Sequence, residues 1–203
     1  LKLIMIKTTY KFFLILILSL GLIQPVFSYD EDDFKIGSDE AKVTVKVFSS
    51  LTCPHCASFH KNIFDKLKKE YIDLNKVKFE HRGFPLDMAA LNAEKILRCG
   101  SSSTNKFEFL SEIYNKQNEW AVGSNLDKIN KNLIKIGLKY NLTKSQMENC
   151  LIDNEIQDFI LKERIEAQKK YEISSTPTIY INNKKYDGKH KFKNFKKQID
   201  ELL

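Results

Sequence analysis

The sequence predicts an α/β fold in which a strand–helix–strand unit is interrupted by an all-helical insertion and completed by a strand, a hairpin and a helix. Three observations predict it. The β-branched run Val43-Thr44-Val45-Lys46-Val47-Phe48 passes into a helix whose apolar positions are Phe59, Ile63, Leu67 and Tyr71. A second strand pattern follows at 77–82, so the two strands pair in parallel through a right-handed crossover. From Leu86 to about Glu166 the apolar period is helical throughout.

Taken in order, residues 1–28 read as an export signal. Lys2, Lys7 and Lys11 precede an almost unbroken hydrophobic run from Phe12 to Ile23, Pro25 breaks it, and Val26-Phe27-Ser28 suits cleavage before Tyr29. The run is short against the roughly 20 residues of a spanning helix, and a retained anchor is the alternative. No cysteine follows it to take a lipid. Residues 29–38 are an acidic lead-in with room for a short edge strand. After the strand at 43–48 comes a helix from about Pro54 to Leu74, with proline suited to an early helical position. The second strand closes at Gly83-Phe84-Pro85.

In the insertion, Met88 to Arg98 is a helix stopped by Gly100, and Phe107 to Tyr114 carries another apolar face. Asn125 caps a helix that turns Ile129, Leu133, Ile136 and Tyr140 inward. Thr143 and Gln146 form a capping box for a short helix through Cys150, and a last helix runs from Ile156 to Tyr171. Thr176-Pro177-Thr178 then leads into the strand Ile179-Tyr180-Ile181, an Asn182-Asn183 turn and Lys184-Lys185-Tyr186. Phe192, Phe195, Ile199 and Leu202 make the last helix amphipathic. The implied division is 1–28 signal, 29–86 with 167–203 one discontinuous domain, and 87–166 the inserted helical subdomain.

Of 203 residues, 42% are hydrophobic, enough for a core without many disulfides. Residues 1–28 hold three lysines and no acid, so their removal takes the net charge from +7 to +4. The lysines of the C-terminal stretch (184, 185, 189, 191, 193, 196, 197) read as a solvated face; an exported chain seldom meets nucleic acid, and none is expected as a partner. Attraction to an anionic membrane surface is the weaker alternative. Four cysteines in an exported chain fit an oxidising space, and their unequal spacing suggests two disulfides with different tasks.

Cys53-Pro54-His55-Cys56 lies at the first strand-to-helix junction. The free N–H groups and positive dipole end of the helix favour a thiolate at Cys53, while Cys56, one turn in, is less accessible. Dithiol–disulfide exchange is the preferred reading, with Cys53 attacked first and His55 expected to stabilise its thiolate by charge. A zinc knuckle would need two further ligands, and Cys99, Cys150, His60 and His81 lack the spacing. Haem attachment would need His at 57, which is Ala. An inert short-loop disulfide is the third alternative. The X–Pro bond at Pro177 is by default trans.

Cys53-Pro54-His55-Cys56, preceded by Phe48-Ser49-Ser50 and followed by Ser175-Thr176-Pro177-Thr178-Ile179-Tyr180-Ile181, resembles the DsbA family of thioredoxin-fold thiol oxidoreductases. The likeness covers nearly all of the chain after residue 28. It implies a thioredoxin fold with an inserted helical subdomain, and a cis Pro177 beside the active site with Thr176 facing the disulfide. It further implies a periplasmic oxidase acting on unfolded exported polypeptides, recharged by a DsbB-type quinone-linked membrane oxidase. Separately, no cofactor or metal is expected, and the chain is expected to be a monomer. The rivals are a reductase or isomerase of the same fold, and a metal chaperone using the CxxC. Relatives bury a carboxylate in the strand ahead of the motif; here that strand offers Lys46, with Glu80 on the neighbouring strand as a candidate substitute for proton transfer. Asn183 stands where the family usually has glycine. Cys99 with Cys150 resembles the second disulfide of alphaproteobacterial DsbA-like proteins, a staple of the insertion worth roughly 2–4 kcal/mol; two buried free thiols are the alternative.

Overall fold

The computed structural model describes residues 34–99 and 106–203. The export signal, its cleavage site and Gly100 therefore lie outside the described residues. The strands are β1 (Lys35–Ile36), β2 (Val43–Ser49), β3 (Val77–Gly83), β4 (Thr178–Ile181) and β5 (Lys184–Lys185). They form one sheet in the order β1-β3-β2-β4-β5. β2 and β3 are parallel, with Val43 opposite Val77 and Ser49 opposite Gly83; every other pairing is antiparallel. β2 thus lies at the centre, and its C-terminal end carries the CxxC. This is a thioredoxin fold interrupted by helices.

Helix α1 occupies residues 54–72 and alternates α-helical turns with π-helical segments at His60–Phe64 and Lys68–Ile72. The cause is legible in its apolar spacing. Phe59, Ile63, Leu67 and Tyr71 recur every four residues, and all four are buried. Regular 3.6-residue turns would carry such a row off the sheet, whereas wider turns keep it facing inward. The same core takes Val45, Val47, Phe79, Ile179 and Ile181 from the sheet, and Phe195 and Ile199 from α8 (Phe192–Asp200). Fully burying Phe195 and Ile199 contributes roughly 1.5–3 kcal/mol each. Leu202, expected on that face, is 43% exposed because α8 ends at Asp200.

The insertion comprises α2 (Met88–Leu97), α3 (Lys106–Asn115), α4 (Gln117–Trp120), α5 (Leu126–Gly137) and α6 (Lys144–Ile152). α7 (Asn154–Tyr171) follows and lays Ala167 against Phe48 and Phe84 near the sheet. The expected caps are present: Asn125 accepts from the Lys128 N–H at 2.9 Å, and Thr143 with Gln146 forms the reciprocal box. Trp120 is fully buried and donates its indole N–H to the Ile113 carbonyl at 2.8 Å. Cys99, just past α2, is bonded to Cys150 in α6. The Asn182-Asn183 turn joins β4 to β5 with Asn182 at φ 54°, a conformation asparagine tolerates. Among the described residues no helix is long and apolar enough to cross a membrane.

Candidate active site

Cys53 is the N-cap of α1 in extended backbone conformation (φ −77°, ψ 119°), and its carbonyl accepts from the N–H groups of Cys56 and Ala57 at 3.1 Å each. Ser50 closes the preceding turn by accepting from the Cys53 N–H at 3.1 Å. The inserted helices hold this turn. Gln117, buried on α4, donates its side-chain amide to the carbonyls of Leu51 (2.7 Å) and Cys53 (3.1 Å). Asp87 accepts from the Thr52 hydroxyl at 2.7 Å and from the Ala90 N–H at 2.7 Å, so one carboxylate fixes the motif loop and caps α2.

The Thr176–Pro177 peptide bond is cis, and it places the Thr176 carbonyl 3.3 Å from the Cys53 thiol, which donates to it. The site therefore brings together Cys53, Pro54, His55, Cys56, Thr176 and Pro177. Cys53 and Cys56 are free thiols, and Cys53 is less open than expected, retaining 8% of its exposure against 1% for Cys56.

The two sulfurs differ in proton affinity. Cys53 is lowered from 9.0 to about 5, most strongly by the Cys56 thiol donating to it. Burial opposes this, and the Thr176 hydroxyl and the backbone N–H groups of Cys56 and His55 assist it. In the thiol form the Thr176 hydroxyl is buried without a hydrogen-bond partner, so ionisation supplies one. Cys56 is pushed up, first by burial and then by the adjacent Cys53 sulfur. His55 reaches the Cys53 sulfur through its main chain. Its side chain is exposed, and it is the backbone N–H of His55 that acts on the sulfur. The first N–H groups of a helix have no intrahelical partner and point toward what precedes the helix.

Glu80, the candidate for proton transfer, is engaged by cations. Its carboxylate sits 3.2 Å from Arg82 and 3.4 Å from Lys46, and these cations outweigh burial and hold its pKa down. A carboxylate engaged in that way is a poor proton acceptor for Cys56. Beneath Cys56 lies instead a buried set to which the sequence assigns no role. Tyr114 is buried, and burial raises its pKa well above the usual range. His60 stacks between Phe64 and Tyr114 at 4.2 and 4.9 Å and is kept neutral by burial, its pKa lowered to about 3. Glu94 on α2 is fully buried 3.0 Å from His81, and a Cβ at Gly83 would come within 2.9 Å of its carboxyl carbon. A signal for Glu94 is present in the sequence: it lies among Ala90, Leu91, Ala93 and Leu97 on a helix buried on all sides. Gln117 and Tyr114 carry no such signal, because their partners are far off in sequence.

The thioredoxin family pattern matches residues 30–201. The solved structure of Wolbachia pipientis alpha-DsbA1 superposes with a TM-score of 0.77 at 30% identity, covering 91% of this chain and 94% of that one. This chain is a DsbA-like member of the thioredoxin family. Among curated relatives, disulfide bond formation protein D of Bacillus subtilis is 30% identical over 83% of this chain and 76% of its own length. A Rickettsia bellii protein with a provisional protein-disulfide oxidoreductase name is 31% identical over 77% of this chain. The chain spans 59% of the length of that rickettsial protein.

Proposed function

We propose that this DsbA-like chain is a periplasmic thiol:disulfide oxidoreductase that donates a Cys53–Cys56 disulfide to unfolded exported polypeptides. The observation that carries the reading is the asymmetry of the pair: Cys53 holds a charge at about pH 5 and above, whereas Cys56 strongly resists one. In the oxidised form a substrate thiolate attacks Cys53 Sγ. The Cys53–Cys56 bond breaks, its electron pair leaves on Cys56, and Cys56 takes up a proton. A second substrate thiolate then attacks the substrate sulfur of the mixed disulfide, and Cys53 departs as a stabilised thiolate. The substrate is oxidised by two electrons and the CxxC is reduced. Stabilising the thiolate stabilises the dithiol form, so the disulfide is the more oxidising, a relation for which DsbA is itself the usual illustration.

In this reading residues 1–28 direct export, 29–86 and 167–203 form the thioredoxin-like domain, and 87–166 cover and position the motif. A DsbB-type membrane oxidase re-forms the disulfide, and the chain works as a monomer. The test is the equilibrium of the CxxC with glutathione, together with oxidation of a reduced model polypeptide. An oxidising equilibrium and rapid transfer are expected; a dithiol that persists in oxidised glutathione would favour the reductase or isomerase alternative. The alternative from another class is a metal chaperone that uses the two thiols and a histidine. Metal analysis of the purified reduced protein separates that class.

A further inference from the structure

Residues 184–197 contain seven lysines and a single acid, Asp187. All seven lysines are exposed. Two are neutralised locally, Lys196 by Glu70 at 2.9 Å and Lys197 by Glu201 at 4.0 Å. Among the described residues, Lys184, Lys185, Lys189, Lys191 and Lys193 have no carboxylate within 4.0 Å. Lys191 is the N-cap of α8, with no side-chain cap bond and no acid in the first turn, so the positive end of the helix dipole adds to the same field.

The position of this charge matters more than its amount. His190, between Lys189 and Lys191, stacks on Tyr186 at 6.2 Å and lies edge-on to Phe59 at 6.5 Å. Phe59 is one helical turn beyond Cys56, and His190, whose pKa is lowered first by burial and then by the nearby His55, lies close to the CxxC. The part of the lysine-rich face around His190, with Lys189 and Lys191, thus lies on the side of the CxxC that carries His55.

We propose that this face docks acidic segments flanking the reacting cysteine of the substrate polypeptide, so that the preferred substrates are locally acidic chains. The inference rests on the oxidoreductase reading and specifies its substrate class. Charge of one sign beside a reactive group concentrates oppositely charged reactants there and raises association rates by about 10- to 1,000-fold, an effect that salt removes.

The experiment uses the oxidised protein and two dithiol peptides of equal length, one with Asp and Glu flanking its cysteines and one with Lys. Dithiothreitol serves as an uncharged control. At low ionic strength the acidic peptide is expected to reduce the protein's disulfide about tenfold faster. The two rates should converge in high salt. In the variant Lys189→Glu/Lys191→Glu/Lys193→Glu the order should reverse while the dithiothreitol rate stays unchanged. Equal peptide rates at low salt, or a preference that survives charge reversal, would overturn the proposal. So would equal peptide rates accompanied by salt-sensitive binding to phosphatidylglycerol vesicles, which would make the face a lipid contact. If dithiothreitol itself fails to reduce the disulfide, the oxidoreductase reading falls and this inference with it. A normal dithiothreitol rate with equal peptide rates sinks the inference alone.

Discussion

At the scale of single residues, chemistry concentrates in one sulfur and the groups that face it. Cys53→Ser removes the attacked atom and should abolish oxidation of a reduced model polypeptide, read as loss of disulfide formation. Thr176→Val keeps shape and burial but removes a buried hydroxyl available to the thiolate. It should raise the Cys53 pKa by about one unit, equivalent to ~1.4 kcal/mol, in a titration followed by thiolate absorbance. His55→Ala leaves the backbone N–H in place and should shift that titration less; a larger shift in His55→Ala would make the imidazole the main influence. The lowered pKa also has a consequence for stability. A thiol at about 5 in the folded dithiol form and 9.0 when free stabilises that form fully above the higher value. The contribution is lost as pH falls through about 5. The disulfide form has no such group, so the reduced protein's advantage in Tm over the oxidised protein should shrink on acidification from neutral pH to about pH 4.

At the scale of elements, the motif loop depends on helices remote in sequence. The Gln117 amide from α4 holds two carbonyls of the loop, and substitution by Leu leaves both buried acceptors without that donor. Gln117→Leu should cost about 1–3 kcal/mol in chemical denaturation. The Cys99–Cys150 bond joins the end of α2 to α6 across 51 residues. Replacing both cysteines by Ala should lower stability by roughly 2–4 kcal/mol while leaving the Cys53 titration unchanged, because the bond lies in the insertion and touches neither thiol.

Across the molecule, one charged chain ties the insertion to the sheet. Arg98 at the end of α2 lies 3.7 Å from Glu94 and 2.7 Å from Glu163 on α7, and Glu163 also reaches Arg82 on β3 at 3.3 Å. Arg98, Glu94 and Glu163 are all but excluded from water, so removing the central cation leaves buried carboxylates with less compensation. Arg98→Met should destabilise by about 3–5 kcal/mol, measured as a lower denaturant midpoint with an unchanged slope.

The sequence by itself determined the local features: strands from β-branched runs, helix starts at Asn125 and Thr143, the Asn182 turn, and a CxxC at a strand-to-helix junction. These depend on residues within a few positions of one another, where propensity and hydrogen-bond reach decide. Tertiary structure decided most of what surrounds the sulfurs. Gln117 and Tyr114 lie 61 or more positions from Cys53, and no periodicity records that a folded chain turns them toward it. Thr176 is expected there through the family resemblance and not from any local pattern. Glu80 and Glu94 show the same divide, since both are carboxylates on predicted elements. Only packing sent the first to Lys46 and Arg82 and the second into the space that Gly83 leaves open.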